Sequence, residues 1–242
     1  MRIAAILPAA GLGTRMGAET PKQFLELGGI PLVIFTLRRL AACPAITHFF
    51  VATLPEEVAP LEKRVGQEKF GRPVRVLRGG ATRQESVARA LDEVSADTEF
   101  VLVHDAVRPF VTREQIERVM AEAQACGAAI LGIPATDTIK EVKRVAQSRA
   151  SQTEDVALIT ATIRRERIVL AQTPQVFRGS LLKEAFARAA ADGATASDES
   201  MLVERLGQDV HVVHGSERNI KITRPADMEL ARFYLQQELA GK

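Results

Sequence analysis

The sequence predicts an α/β fold with a doubly wound, mostly parallel sheet. Two observations carry this. Short apolar runs recur at intervals and alternate with amphipathic helical patterns over the first half of the chain. The first such run feeds directly into a loop of small residues, as at the carboxyl edge of an open α/β sheet.

The elements follow in order. Ile3–Leu7 is a buried strand. Leu32–Ala42 is a helix, with Leu32, Phe35, Leu37 and Leu40 apolar and Arg38 and Arg39 exposed. Thr47–Thr53, Val74–Leu77, Phe100–His104 and Ala128–Ile133 are further strands. Helices over Glu56–Phe70, Arg83–Val94 and Arg113–Cys126 separate them. After Pro134 the rhythm breaks. Thr138–Val145 and Val156–Arg164 alternate with period two around a polar stretch, Ala146–Asp155, which reads as a hairpin arm. Helices over Ser180–Ala191 and Asp198–Leu206, strands over Val210–Val213 and Ile220–Thr223, and a final helix from Pro225 to Leu239 complete the chain. The expectation is one domain over residues 1–242, carrying an inserted β-arm over 137–164.

Composition narrows the function. The chain has 242 residues, 46% hydrophobic and 26% charged, as expected of a globular protein rather than a disordered or fibrous one. The net charge of +2 is no duplex-binding surface, so nucleic acid is not an expected partner. Two distant cysteines, Cys43 and Cys126, form neither a disulfide framework nor a zinc spacing, and both are expected to be small buried residues. The run Ile3–Leu7 is too short for a signal peptide, and no stretch reaches the roughly 18 apolar residues of a membrane span. A cytoplasmic location without membrane contact is expected. His211 and His214, three apart in a strand, face opposite sides and cannot form a metal pair. His104 is expected to point away from Asp105.

The loop after the first strand carries Gly11, Gly13, Arg15, Gly17 and Lys22. Its spacing fits neither the dinucleotide fingerprint nor the Walker loop. Small residues still let backbone N–H groups approach a phosphate chain, and a mere turn has no use for two cations.

Several motifs together are more specific. LPAAGLGTRMGAETPKQFLELGGIPL, GGATRQESV, VLVHDAVRP, Asp137-Thr138-Ile139-Lys140, QTPQVF, GATASDES and NIKITRP run in order from the first strand to the last helix. In these the chain resembles the 2-C-methyl-D-erythritol 4-phosphate cytidylyltransferases, a family of nucleotidyltransferases with a Rossmann-like fold. The resemblance implies transfer of CMP from CTP to a polyol phosphate with release of pyrophosphate, in non-mevalonate isoprenoid precursor synthesis. The nucleophile is a phosphate oxygen, already anionic, so the reaction needs charge neutralisation and in-line positioning rather than a general base.

The resemblance makes Arg15 and Lys22 the catalytic cations. It places CTP on Ala9, Ala10, Gly11, Gly13, Gly79, Gly80, Arg83 and Ser86, although Ala81 and Thr82 stand where acidic residues are expected in many relatives. It places the second substrate on Asp105, Arg108, Thr138, Arg165, Thr195 and Lys221. Asp105 is also a candidate Mg²⁺ ligand, with Asn219 a weaker candidate oxygen. The implied assembly is a homodimer through the arm, with Arg165, Arg108 and Thr138 reaching the partner's site. The stretch from Thr138 to Arg165 is longer than expected for the family. Two alternatives remain: a cytidylyltransferase for another polyol phosphate such as ribitol 5-phosphate, and a non-catalytic nucleotide-binding module.

Overall fold

Strand β1, Ile3–Ala9, alternates two ways: Ile3, Ala5, Leu7 and Ala9 enter one apolar cluster, and Ala4 and Ile6 enter another. Both faces of this strand are therefore covered, as in a central strand of a parallel sheet. The computed structural model describes residues 2–11, 20–144 and 157–241. A two-residue pair, β2 (Glu26–Leu27) and β3 (Ile30–Pro31), precedes helix α1 (Leu32–Ala41). Then come β4 (Ile46–Thr53), α2 (Val58–Gly66), β5 (Val74–Arg78), α3 (Arg83–Asp92), β6 (Phe100–Val103), α4 (Arg113–Cys126) and β7 (Ala128–Pro134). The remainder is β8 (Ile139–Arg144), β9 (Ala157–Ile163), β10 (Val169–Arg178), α5 (Gly179–Ala191), α6 (Glu199–Glu204), β11 (His211–His214) and α7 (Pro225–Ala240).

The main sheet has seven strands in the order β11-β7-β10-β6-β1-β4-β5. It is parallel except for β10, which runs antiparallel between β6 and β7. The sheet is thus the expected mixed α/β one, but the sequence pattern does not mark β10. Pro174 argues against a central strand, because it donates no ladder bond. The chain accommodates it with a bulge: Gln172 pairs with Leu131 and Gln175 with Ile130, so Thr173 and Pro174 fall outside the ladder.

Helix ends follow side-chain chemistry. Thr82 caps α3 by accepting from the Glu85 N–H at 3.1 Å. Thr112 and Gln115 form a reciprocal capping box on α4, which stops at Gly127 with φ of 95°. The second helix is shorter than expected at both ends: Pro55–Glu57 forms a separate 3-10 turn, and the helix stops at Gly66.

Ile220–Thr223, expected as a strand, is not one. Its alternating isoleucines serve a strap instead. The Ile222 N–H donates to the Val107 carbonyl at 3.0 Å, and the buried Ile222 side chain packs with Leu27, Phe110 and Met228 beneath α7. The arm is a separate two-stranded sheet of β8 and β9, paired from Ile139↔Ile163 to Arg144↔Ala157 with one bulge at Glu141/Val142. The polar residues Ser148–Asp155 lie outside the described residues, and the register at the arm's base is set without them.

Candidate active site

The carboxyl ends of β6, β1, β4 and β5 lie side by side, where open α/β sheets place their ligands. A cleft of about 210 Å³ opens there, lined by Ala9, Ala10, Gly11, Lys22, Arg83, Ser86, Asp105 and Lys221 together with neighbours from the same loops. Gly13 and Arg15 lie outside the described residues.

The side of the cleft formed by β1, β4 and β5 is built on backbone. The end of β1 is pinned: the Ala9 carbonyl accepts from Gln23 Nε2 at 2.6 Å and from Thr53 Oγ1 at 3.4 Å. Gln23 is buried, so the chain returning from the loop is fixed one residue past Lys22. The Gly79 N–H donates to the Thr53 carbonyl at 2.7 Å, and Arg89 grips the Gly79 carbonyl at 2.5 Å. A Cβ on Gly79 would stand 2.5 Å from the Ala10 Cβ and 2.9 Å from Ser86 Oγ, so only glycine lets these segments meet. Ser86 Oγ accepts from the Gly80 N–H at 3.0 Å and donates to the Thr82 carbonyl at 2.8 Å. Thr82 is the cap of α3, and the Ala81 N–H donates to Glu85 Oε2 at 2.9 Å. This pair of residues therefore shapes the helix entry in place of the expected acidic side chains.

The other side is an ion cluster. Asp105 follows β6 and is buried. Its Oδ1 meets Arg83 Nε at 3.2 Å, and its Oδ2 meets Arg108 Nε at 3.3 Å and Lys221 Nζ at 3.0 Å. Burial alone would raise the Asp105 carboxyl. The charges on Arg83, Lys221 and Arg108 outweigh it and hold the group well below the usual carboxylate range. Arg83 also forks onto buried Glu199 with contacts of 2.7 and 2.9 Å. Arg108, expected to reach a partner's site, is instead buried beside this chain's own Asp105; it donates to the Asn219 carbonyl at 2.7 Å, which places the strap that carries Lys221. Three cations against two carboxylates leave a surplus of positive charge facing the cleft. Such a surplus suits a phosphate.

These contacts also test the proposed metal ligand. Both Asp105 oxygens already face cations, so a divalent ion there would meet three like charges. Asn219 Oδ1 is buried and has no hydrogen-bond partner among the described residues. The residues present do not fit a metal held by the protein at Asp105.

Thr195 is exposed on the loop before α6. Gln84 clamps that loop, donating to the Ala194 carbonyl at 3.1 Å and accepting from the Ala196 N–H at 2.9 Å. Thr138 and Arg165 sit elsewhere. Both are exposed at the base of the arm, where Arg165 donates to the Thr136 carbonyl, and neither lines this chain's own cleft.

Sequence reasoning missed Gln23, Gln84 and Glu199. Each supports a named site residue from a distant element, and no local pattern marks it.

His104 makes its hydrogen bonds to Thr173 and Arg108 rather than to the Asp105 carboxylate, and it has a structural task. The Asp105 N–H donates to Thr173 Oγ1 at 3.0 Å, leaving that hydroxyl to donate to His104 Nδ1 at 3.0 Å. His104 Nε2 then donates to the Arg108 carbonyl at 3.1 Å, which fixes the neutral tautomer. Burial pushes the imidazole down to about 4 from 6.5. A depressed folded-state value means stability present above 6.5 is lost as pH falls toward 4. By pH 5 the loss should be about 2 kcal/mol, readable by urea unfolding at pH 7 and 5 and absent from the slope of His104→Asn.

The sequence model of the 2-C-methyl-D-erythritol 4-phosphate cytidylyltransferase family matches residues 3–237. The chain belongs to this family. Cytidylyltransferases of that description from Acidobacterium capsulatum and Solibacter usitatus are 53% and 49% identical to it; alignment covers 98% of this chain and 98% of the first, and 99% and 98% for the second. The crystal structure of the cytidylyltransferase from Thermus thermophilus is similar at 36% identity and a TM-score of 0.75, covering 98% of this chain and 100% of that one. The 4-diphosphocytidyl-2C-methyl-D-erythritol synthase of Anaerococcus prevotii superposes with a TM-score of 0.81 at 27% identity, over 97% of this chain and 98% of that one. The mixed sheet with β10 reversed is thus set within a known cytidylyltransferase fold. Among the described residues, no helix is long and apolar enough to cross a membrane.

Proposed function

We infer that this chain transfers CMP from CTP to 2-C-methyl-D-erythritol 4-phosphate, giving 4-diphosphocytidyl-2-C-methyl-D-erythritol and pyrophosphate, a step of isoprenoid precursor synthesis. Family membership over residues 3–237 carries this reading, and the cleft's chemistry supports it. The phosphate of the second substrate attacks the α-phosphorus in line, and the bond to the β-phosphate oxygen breaks. Lys22 and Arg15 neutralise the charge that develops on the transferring group and the leaving pyrophosphate. The base lies against Ala10, Gly79, Gly80 and Ser86, where backbone groups read a pyrimidine edge. Asp105, Arg108, Thr195 and Lys221 hold the methylerythritol phosphate. A divalent ion, Mg²⁺ by preference for phosphate oxygens and water, arrives on the triphosphate rather than on a carboxylate of this chain.

Pyrophosphate release tests the assignment. CTP with 2-C-methyl-D-erythritol 4-phosphate should far exceed CTP with ribitol 5-phosphate, and each should exceed ATP pairings. Release with the ribitol compound alone would select the alternative polyol. Binding without release would select the non-catalytic module.

The chain is proposed to act as one domain whose arm pairs with a second copy. Val142, Leu158 and Ile159 on the arm are 51–60% exposed, and an isolated two-stranded ribbon is marginal in water. The paired arm would carry Thr138 and Arg165 toward the partner's cleft. Lys22→Ala and Arg165→Ala chains, unfolded and refolded together, then give roughly half mixed dimers, each with one intact site. Activity should return to about a quarter of wild type. Mixed dimers that form without activity would place Arg165 in its own subunit.

A further inference from the structure

A second group of chemistry-bearing side chains lies outside the cleft. Glu122 and Cys126 stand one turn apart on α4 and so share a face. His211 opens the edge strand β11, beside that helix. Glu122 Oε1 and His211 Nδ1 are 2.6 Å apart. One ligand atom from each of the three residues lies within 4.8 Å of the others. Cys126 is half-buried rather than buried as expected, with its thiol facing the Glu122 and Ala128 carbonyls at 3.0 and 3.1 Å.

We propose that Glu122, Cys126 and His211 form a surface site for one thiophilic divalent cation of the Zn²⁺ class. Thiolate, imidazole and carboxylate are the donors such an ion prefers, with water as a fourth ligand. Mg²⁺ and Ca²⁺, which take oxygen ligands, do not suit it. The site sits on the last turn of α4, where carbonyl groups at the helix terminus favour a cation. Thiolate and carboxylate together balance the two positive charges. Glu122 and His211 line a surface hollow with Arg118 and His214, and Arg118 is the one Lys or Arg among its described lining residues. On binding, the thiol proton leaves to water and the Glu122–His211 contact opens to face the ion. The bound ion would staple edge strand β11 to α4.

The three ligands come from two separate elements, α4 and β11, which is why spacing in the sequence does not show the site. Co²⁺ titration of the full, reduced chain tests it, with Zn²⁺ as competitor. The chain has two cysteines and Cys43 is fully buried, so a thiolate-to-cobalt charge-transfer band reports Cys126. The band should saturate at one equivalent, vanish on adding Zn²⁺, and be absent from Cys126→Ser. Exposed His211→Ala should weaken binding by roughly tenfold or more, at least what loss of a supporting partner costs a metal site. No band in the wild type, or a band that persists in Cys126→Ser or is unchanged in His211→Ala, overturns the proposal.

Discussion

Lys22→Ala should lower kcat by roughly 10²–10³, about 3–4 kcal/mol of transition-state stabilisation, as loss of one preorganised electrostatic donor does. Lys22 lines the cleft and opens a short turn whose next residue, Gln23, is anchored to the end of β1. The ammonium is therefore carried on an anchored backbone. In the proposed reaction its charge would matter most as the α-phosphoryl group moves and the leaving pyrophosphate gains charge. Steady-state kinetics separates this from simple binding: a raised KM for CTP at unchanged kcat would reduce Lys22 to a binding residue. Gln23→Ala should show a milder fall in kcat by loosening the same anchor.

Arg83→Ala should be the most destabilising single change in the ion cluster. It removes the partner of Glu199, whose side chain is 2% exposed, and leaves that carboxylate buried without its fork. Breaking a buried pair from one side costs about 3–5 kcal/mol, and the low end applies because Arg83 is itself 27% exposed. Asp105 keeps Arg108 and Lys221, so it is less affected. The pH dependence has a definite sign. Burial already raises the Glu199 carboxyl, against the pull of Arg83. Losing Arg83 raises it further, so the folded variant binds a proton more readily than the unfolded chain. The deficit against wild type is then fully present at high pH and narrows as pH falls through the raised value. Urea midpoints at pH 8 and 5.5 measure this, and a deficit that widens on acidification would refute the account of Glu199.

Much of this is legible in the sequence because the relevant signals are local. The apolar runs of β1, β4 and β6 mark themselves, and so do Thr112 with Gln115 at the start of α4 and the glycines where β5 meets α3. Other features depend on contacts between distant segments. Strand β10 contains a proline that forbids it by local rules and is rescued by a bulge against β7. Ile220 and Ile222 alternate like a strand but form a strap beside the segment that follows β6, because Val107 and Arg108 supply its partners. Glu199 sits just after the Asp198 cap in the first turn of α6, where nothing local distinguishes it, yet its task is to hold Arg83, 116 residues away. By sequence, Asp105 is a candidate for a metal as well as for substrate; the three cations around it in the fold argue against the metal.

The proposed site works by neutralising charge and holding two phosphates in line, with no protein general base. The direct test is the pH dependence of pyrophosphate release from CTP and 2-C-methyl-D-erythritol 4-phosphate at saturating concentrations. The rate should rise through about pH 6, as the substrate phosphate loses its second proton, and then stay level through neutrality. A further limb near neutral pH that moves or disappears on mutating a residue of the cleft would instead reveal a protein base.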